Sequence, residues 1–212
     1  MAAMGPWARG GAQMETFQFN HDHNVAYALL FSPVRDPGNI KRRIVAAATM
    51  PGPEGDEERD AVDFAFIEPT LVTSRLHLET AIHQAIIAES QGSLRTKTIH
   101  SEILFALNPT NNITEAIRRF GVSESSKSLL VVHITNASPS LEVESKMRKA
   151  VDGTVVPFSE LNTLTDWDRV KKYHKLDKEV KERENGGSDQ SAIQAFIDKV
   201  AISSVAMKSV MQ

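Results

Sequence analysis

The 212-residue sequence contains no cysteine. That excludes disulfides, cysteine-ligated zinc and thiol catalysis, and it fits a reducing compartment. Aromatic residues are scarce at 6%, and none interleave with basic residues on a strand in the way that stacks nucleobases. The formal net charge is -3, so any contact with RNA must come from a local basic cluster, not from the chain as a whole. No apolar run approaches the roughly 20 residues that span a bilayer, and no membrane partner is expected. The motifs that cradle nucleotides or carry catalysis are missing: no G-x-x-x-x-G-K-[ST], no G-x-G-x-x-G, no H-E-x-x-H, no G-x-S-x-G, and no kinase catalytic-loop or D-F-G string. No cofactor is implied. His21 and His23 flank Asp22, but with no third ligand in view they read as a polar hairpin tip and not as a metal site. Glu102 could orient His100, yet residues two apart on a helix do not face each other. The expectation is a protein that is not an enzyme.

What is present is a core. The hydrophobic fraction of 41% in 212 residues suits one globular domain. Residues 1–13 are Gly- and Ala-rich without an apolar signal region, and read as a disordered tail preceding a domain over 14–212; Met14 is an alternative start. Thr16–Phe19 and Val25–Phe31 read as the first strands. In the second, Val25, Tyr27, Leu29 and Phe31 share one face, and Leu30 indicates that the other is partly covered. After the breakers Pro33, Pro37 and Gly38 comes a helix over about 40–50, opening on the basic run Lys41, Arg42, Arg43. Residues 51–60 read as an acidic, mobile loop, and Phe64–Ile67 as a short strand. Thr73 or Ser74 then caps a long helix carrying the row Leu78, Ile82, Ile86, and another helix follows over about 98–107. Ser138-Pro139 opens a helix to about Val151, Thr154–Phe158 returns as a strand, and Asp166–Leu176 is helical. Residues 177–190, charged and ending in Asn185-Gly186-Gly187, read as a flexible linker, and 191–211 as a terminal helix. The expected class is α+β: a small, mainly antiparallel sheet packed with helices, plus an inserted helical lobe over about 73–120.

The most informative stretch is Ser101–Ile134. It opens Ser101-Glu102-Ile103-Leu104-Phe105-Ala106-Leu107-Asn108-Pro109-Thr110-Asn111-Asn112-Ile113-Thr114-Glu115-Ala116-Ile117-Arg118-Arg119-Phe120-Gly121-Val122 and closes on Ser128-Leu129-Leu130-Val131-Val132-His133-Ile134. Pro109 ends a helix and pushes Asn108 out of the α region. Asn112 caps the next helix by accepting the Glu115 amide, with Glu115 expected to reach back as a capping box. That role also argues against reading Asn112-Ile113-Thr114 as a glycosylation site. Gly121 is expected as a left-handed C′ residue, and Leu129–Ile134 as a buried strand.

The wording of this block resembles the PRPK-binding protein family, the small accessory, kinase-binding subunits of the KEOPS (EKC) complex, in a fungal-type member. Phe64-Ala65-Phe66-Ile67-Glu68-Pro69-Thr70-Leu71-Val72, Arg95-Thr96-Lys97-Thr98 and Val170-Lys171-Lys172-Tyr173-His174-Lys175-Leu176 are similar to further family segments, so the resemblance runs in order over about 16–211. Ala106 departs from it, where many relatives carry Asn.

The resemblance implies a non-catalytic subunit that binds and stimulates a PRPK-like atypical kinase/ATPase and meets the other KEOPS subunits through it. It also implies help in recruiting tRNA, including through its 3′ CCA end, for threonylcarbamoyladenosine modification next to the anticodon, and residence in nucleus and cytoplasm. A telomere role, associated with some relatives, has no signature in the residues. The terminal helix supplies the expected kinase contacts, Ile193, Ile197, Val200, Ala201 and Ser204. The expected tRNA contacts are Lys41, Arg42, Arg43, Arg95, Lys97, Arg118 and Arg119, although Arg118 and Arg119 equally suit the negative end of a helix. The alternative is a stand-alone RNA-binding or other protein-interaction module, against which the acidic balance weighs.

Overall fold

A computed structural model describes residues 14–20, 25–136 and 141–210. The expected tail over 1–13, the hairpin tip at 21–24 and the Ser138-Pro139 helix start therefore lie outside the described residues.

Five strands form one antiparallel sheet: β1 (Glu15–Gln18), β2 (Val25–Val34), β3 (Ala65–Ile67), β4 (Leu129–Thr135) and β5 (Gly153–Val156). The order is β1-β2-β4-β3. β4 lies along one edge of β2, with Ala28 opposite Val132. β1 and β5 share the other edge, β1 against Val25–Ala28 and β5 against Leu30–Val34. β2 and β4 are central and buried on both faces, so they read as near-continuous apolar runs instead of alternating ones.

Each sheet face has its own core. On one, Ala26, Ala28, Leu30, Leu130 and Val132 meet α3 (Arg75–Ser90), α4 (Ile99–Leu107), α8 (Trp167–Tyr173) and α10 (Gln190–Ala206). On the other, Tyr27, Leu29, Phe31 and Val131 meet α1 (Pro37–Thr49) and α6 (Leu141–Ala150) through Ile40, Met147 and Ala150. The class is α+β. The helices expected as an inserted lobe, α3, α4 and α5 (Ile113–Phe120), do fall between β3 and β4, but they form a layer on the sheet itself.

Two segments expected to be irregular are helices. Residues 52–61 form α2 (Gly52–Ala61). Arg59 donates to the carbonyls of Ala47 and Met50 at the end of α1, each at 2.9 Å, and Arg43 pairs with Glu58 at 2.6 Å. Gly55 permits this packing, since a Cβ there would stand 2.1 Å from the Met50 oxygen. Residues expected as a linker contain α9 (Asp177–Asn185), seated by the buried Val180. In both cases tertiary partners overrode poor local hydrophobicity. The short α7 (Leu161–Leu164) leads into α8.

Candidate partner-binding surfaces

The α4–turn–α5 block is held by its polar groups. Thr98 caps α4, its hydroxyl accepting the Ser101 amide at 3.1 Å. Asn108 is fully buried, and its Nδ2 donates to Thr110 O, Thr110 Oγ1 and Asn112 O at 3.0, 2.9 and 3.3 Å. Asn112 caps α5 as expected, accepting the Glu115 amide at 3.0 Å. The reciprocal half of the capping box is not made. The Glu115 carboxylate instead accepts from the Thr110 hydroxyl and pairs with Arg119, both at 2.5 Å. The Thr110 hydrogen bond, then Arg119, hold its pKa below the ordinary value. Gly121 is extended (φ −81°), not left-handed. It is required because a Cβ would stand 2.5 Å from the Ile117 oxygen while the residue bridges to Ile67.

Glu102 and His100 are committed separately. The buried Glu102 accepts, through one oxygen, from the Arg95 amide, the Thr96 amide and the Thr96 hydroxyl at 3.0, 2.8 and 2.6 Å. It thereby fastens the loop ahead of α4 near that helix's positive end. His100 lies between Asp63 at 2.9 Å and the Ile134 amide at 3.0 Å, and its ring stacks on His133. Among the described residues no group of three or more His, Asp or Glu could hold a metal ion, and no helix is long and apolar enough to cross a membrane.

The terminal helix differs from expectation. Asp189 caps α10, and Ile193, Ile197 and Ala201 are buried at 5%, 2% and 0% exposure, with Val205 beside them. They fill the groove along α3, so three of the five expected kinase contacts belong to the protein's own core. Val200 and Ser204 are half-buried. Among the described residues the large apolar side chains left exposed are Val45 on α1 and Met50 just after it, Leu76 on α3, Ile113 and Ile117, one turn apart on α5, and Met207 and Val210 just beyond α10. Ile113 and Ile117 lie on the same apolar stripe of α5 as the buried Ala116 and Phe120, at i, i+3, i+4 and i+7, so the sequence pattern alone marks them as interior and not as an exposed pair.

Lys208 ties the segment after α10 to the α4–α5 turn. Its side chain crosses from the end of α10 to the α4–α5 turn, donating to the carbonyls of Phe105, of Asn108 at 2.5 Å and of Thr110 at 3.0 Å. Its ammonium lies 3.9 Å from the Phe105 ring centroid. Burial pushes its pKa down to about 8, with Glu102 opposing that shift.

The seven basic candidates do not form one patch. Lys41 and Arg42 are exposed on α1, whose apolar side packs on one face of the sheet, and Arg43 is engaged by Glu58. The others belong to the opposite helical layer. Arg95 and Lys97 are exposed ahead of α4, and Arg95 borders a cavity of about 320 Å³ that Gln84, Gln91, Glu102 and Lys208 also line. Arg118 is exposed, while Arg119 sits 4.0 Å over the Tyr173 ring, against which Arg169 also lies. The tertiary structure thus sets α8, with Arg169 and Lys172 exposed, beside α5. The sequence alone did not pair them.

Glu102 and His100 are thus engaged in hydrogen bonds within the fold. Sequence comparison assigns the class: residues 31–209 match the kinase binding protein CGI-121 family, and the chain belongs to that family. Its relatives are more particular. A Cryptococcus neoformans protein named EKC/KEOPS complex subunit CGI121 is 30% identical, with the alignment covering 91% of this chain and 100% of the relative. A Neurospora crassa subunit of the same name is 30% identical, covering 92% and 98%. The Danio rerio EKC/KEOPS complex subunit TPRKB is 28% identical, covering 74% and 81%.

Proposed function

We propose that this chain is a non-catalytic subunit of an EKC/KEOPS complex that binds a PRPK-like kinase/ATPase, stimulates it and helps recruit tRNA. The observation that carries the reading is membership of a kinase-binding family over 31–209, together with relatives named as subunits of that complex. Stimulation requires only that the subunit bind one conformation of the kinase more tightly than another, and its extent is bounded by that differential affinity.

The kinase docks on the exposed apolar face that α5 and the end of α10 make, through Ile113, Ile117, Met207 and Val210. Exposed apolar side chains of this size, grouped beside a rigid turn, are what a partner buries first. Transfer RNA is held through phosphates by Arg95, Lys97 and Arg118, with Arg169 and Lys172 of α8 extending the site. Lys41 and Arg42, on the opposite layer, form a separate and weaker contact.

Removing residues 191–212 does not test the kinase contact, because it strips Ile193, Ile197, Ala201 and Val205 from the core. Titration calorimetry of the full chain against its own organism's PRPK-like kinase does. Binding at micromolar affinity or better, lost in Ile117→Asp at unchanged thermal stability, supports the reading. A folded wild-type chain that does not bind the kinase overturns it, and retained tRNA binding would then favour an independent RNA-binding module.

A further inference from the structure

Lys208 is the most unusual side chain in the structure. A lysine that is 7% exposed normally pairs with a carboxylate, because burying an isolated ammonium is costly. Here the acceptors are instead three main-chain carbonyls at and just past the end of α4: Phe105, Asn108 and Thr110. Three donors meet three acceptors, and the positive charge sits at the negative end of the α4 dipole, over the Phe105 ring. The groups around it are Glu102 on α4, Arg95 on the segment before α4, and the neutral Gln84 within α3 and Gln91 just after it. A second tie, from Gln84 Nε2 to the Ala206 carbonyl at 3.3 Å, fixes the end of α10 on α3.

The consequence is geometric. Met207 and Val210 flank Lys208 in the chain, and the turn it grips leads directly into Ile113 and Ile117. We propose that Lys208 is a positioning residue for partner binding: its ammonium clamps the end of α10 to the α4–α5 turn, so that two short apolar segments present one composite docking face. This rests on the kinase-docking reading above. The segment after Ala206 otherwise has its own turn, with the Lys208 amide donating to Val205 O at 3.2 Å and the Val210 amide to Met207 O at 3.0 Å, and exposed Met207 and Val210 side chains, so its tie to the α4–α5 turn is the Lys208 ammonium.

The test uses the full chain with Lys208→Met and Lys208→Arg, measured for kinase affinity by calorimetry and for amide exchange by mass spectrometry. Methionine keeps the apolar stem and removes the donors and charge. It should weaken kinase binding by tenfold or more and accelerate exchange by tenfold or more at 108–112 and 206–210, leaving the amides of β2 and β4 unchanged. Arginine keeps charge and donors and should recover affinity to within about threefold, a rescue that a simple packing role would not show. Kinase affinity and exchange unchanged in Lys208→Met overturn the proposal, as does an arginine variant as weak as the methionine one. Should Lys208→Met fail to fold, the wild-type chain decides: on adding kinase, protection must rise in 108–117 and 206–210 together, and protection of one segment alone overturns the composite face. Wild-type chain that does not bind kinase, while Lys208→Met still loosens both segments, refutes the docking reading and leaves the clamp standing.

Discussion

The amide of Ile134, in strand β4, donates to Nε2 of His100, in helix α4, at 3.0 Å. Nε2 is therefore the unprotonated nitrogen, and Nδ1 donates to the Asp63 carboxylate at 2.9 Å. This hydrogen bond from His100 is the main cause of the lowered pKa of Asp63. An imidazole that sequence inspection sets beside a glutamate is thus a tie between helix and sheet. His100→Ala leaves a buried amide unsatisfied and should cost about 1–3 kcal/mol, read from urea denaturation. His100→Gln, which keeps an acceptor, should cost less. Equal loss in both variants would show that the lost bond is not the cause.

Glu102 predicts a local loss. Glu102→Ala removes the acceptor for two amides and a hydroxyl, and should cost about 2–4 kcal/mol, with faster exchange at Arg95 and Thr96. Glu102→Gln should retain more than half of the stability lost in the alanine variant. A neutral alanine variant would mean that water replaces the carboxylate without penalty.

His77 sets an acid dependence. It is fully buried, and its Nδ1 accepts the Thr73 amide at 3.2 Å, so the proton sits on Nε2, which has no hydrogen-bond partner among the described residues. Burial, with His174 nearby, lowers its pKa from 6.5 to about 3. Between those values the unfolded chain binds a proton that the folded chain refuses. The corresponding stability is intact above pH 6.5 and is lost as pH falls toward 3, by about 2 kcal/mol at pH 5. His77→Gln should flatten the slope of denaturation free energy against pH in that window. An unchanged slope would assign the acid sensitivity to other groups.

Lys208 acts in the alkaline range with the same sign. Its folded pKa of about 8 lies below the ordinary 10.5. From pH 8 to 10.5 the unfolded state holds the proton and the folded state does not, so this residue makes the fold more stable as pH rises through that window. Carbon-13 NMR of the lysine side chains should show one titrating near 8, absent in Lys208→Met.

The basic candidates should separate by salt. Arg118→Ala and Lys97→Ala should each lower the slope of log affinity for tRNA against log salt by about 0.7–0.9. Arg43→Ala should leave the slope unchanged, because Glu58 already engages that guanidinium. A drop for Arg43 equal to that for Arg118 would remove the distinction between paired and free cations.

Sequence by itself determined most of the local structure around Asn108–Phe120. Pro109 forbade a continued helix, Asn112 supplied the cap, and the block's wording carried the family. It also determined the α+β class, because apolar period and turn residues act over short spans of chain. It misread α2 and α9, whose composition is polar and whose order comes in one case from Arg59 of α2 and Arg43 of α1, which tie the two helices together, and in the other from Val180 in the core. It misjudged α10 as well. An apolar stripe shows that a face is buried, not what buries it, and here α3 does. Only the tertiary structure showed that Ile193, Ile197 and Ala201 are interior while Ile113 and Ile117 stay exposed, and set α8 beside α5. Only it turned Lys208, an ordinary cation near a chain end, into the partner of three carbonyls about a hundred residues away. Those decisions belong to contacts between distant segments, whose energies depend on burial and geometry that no local pattern encodes.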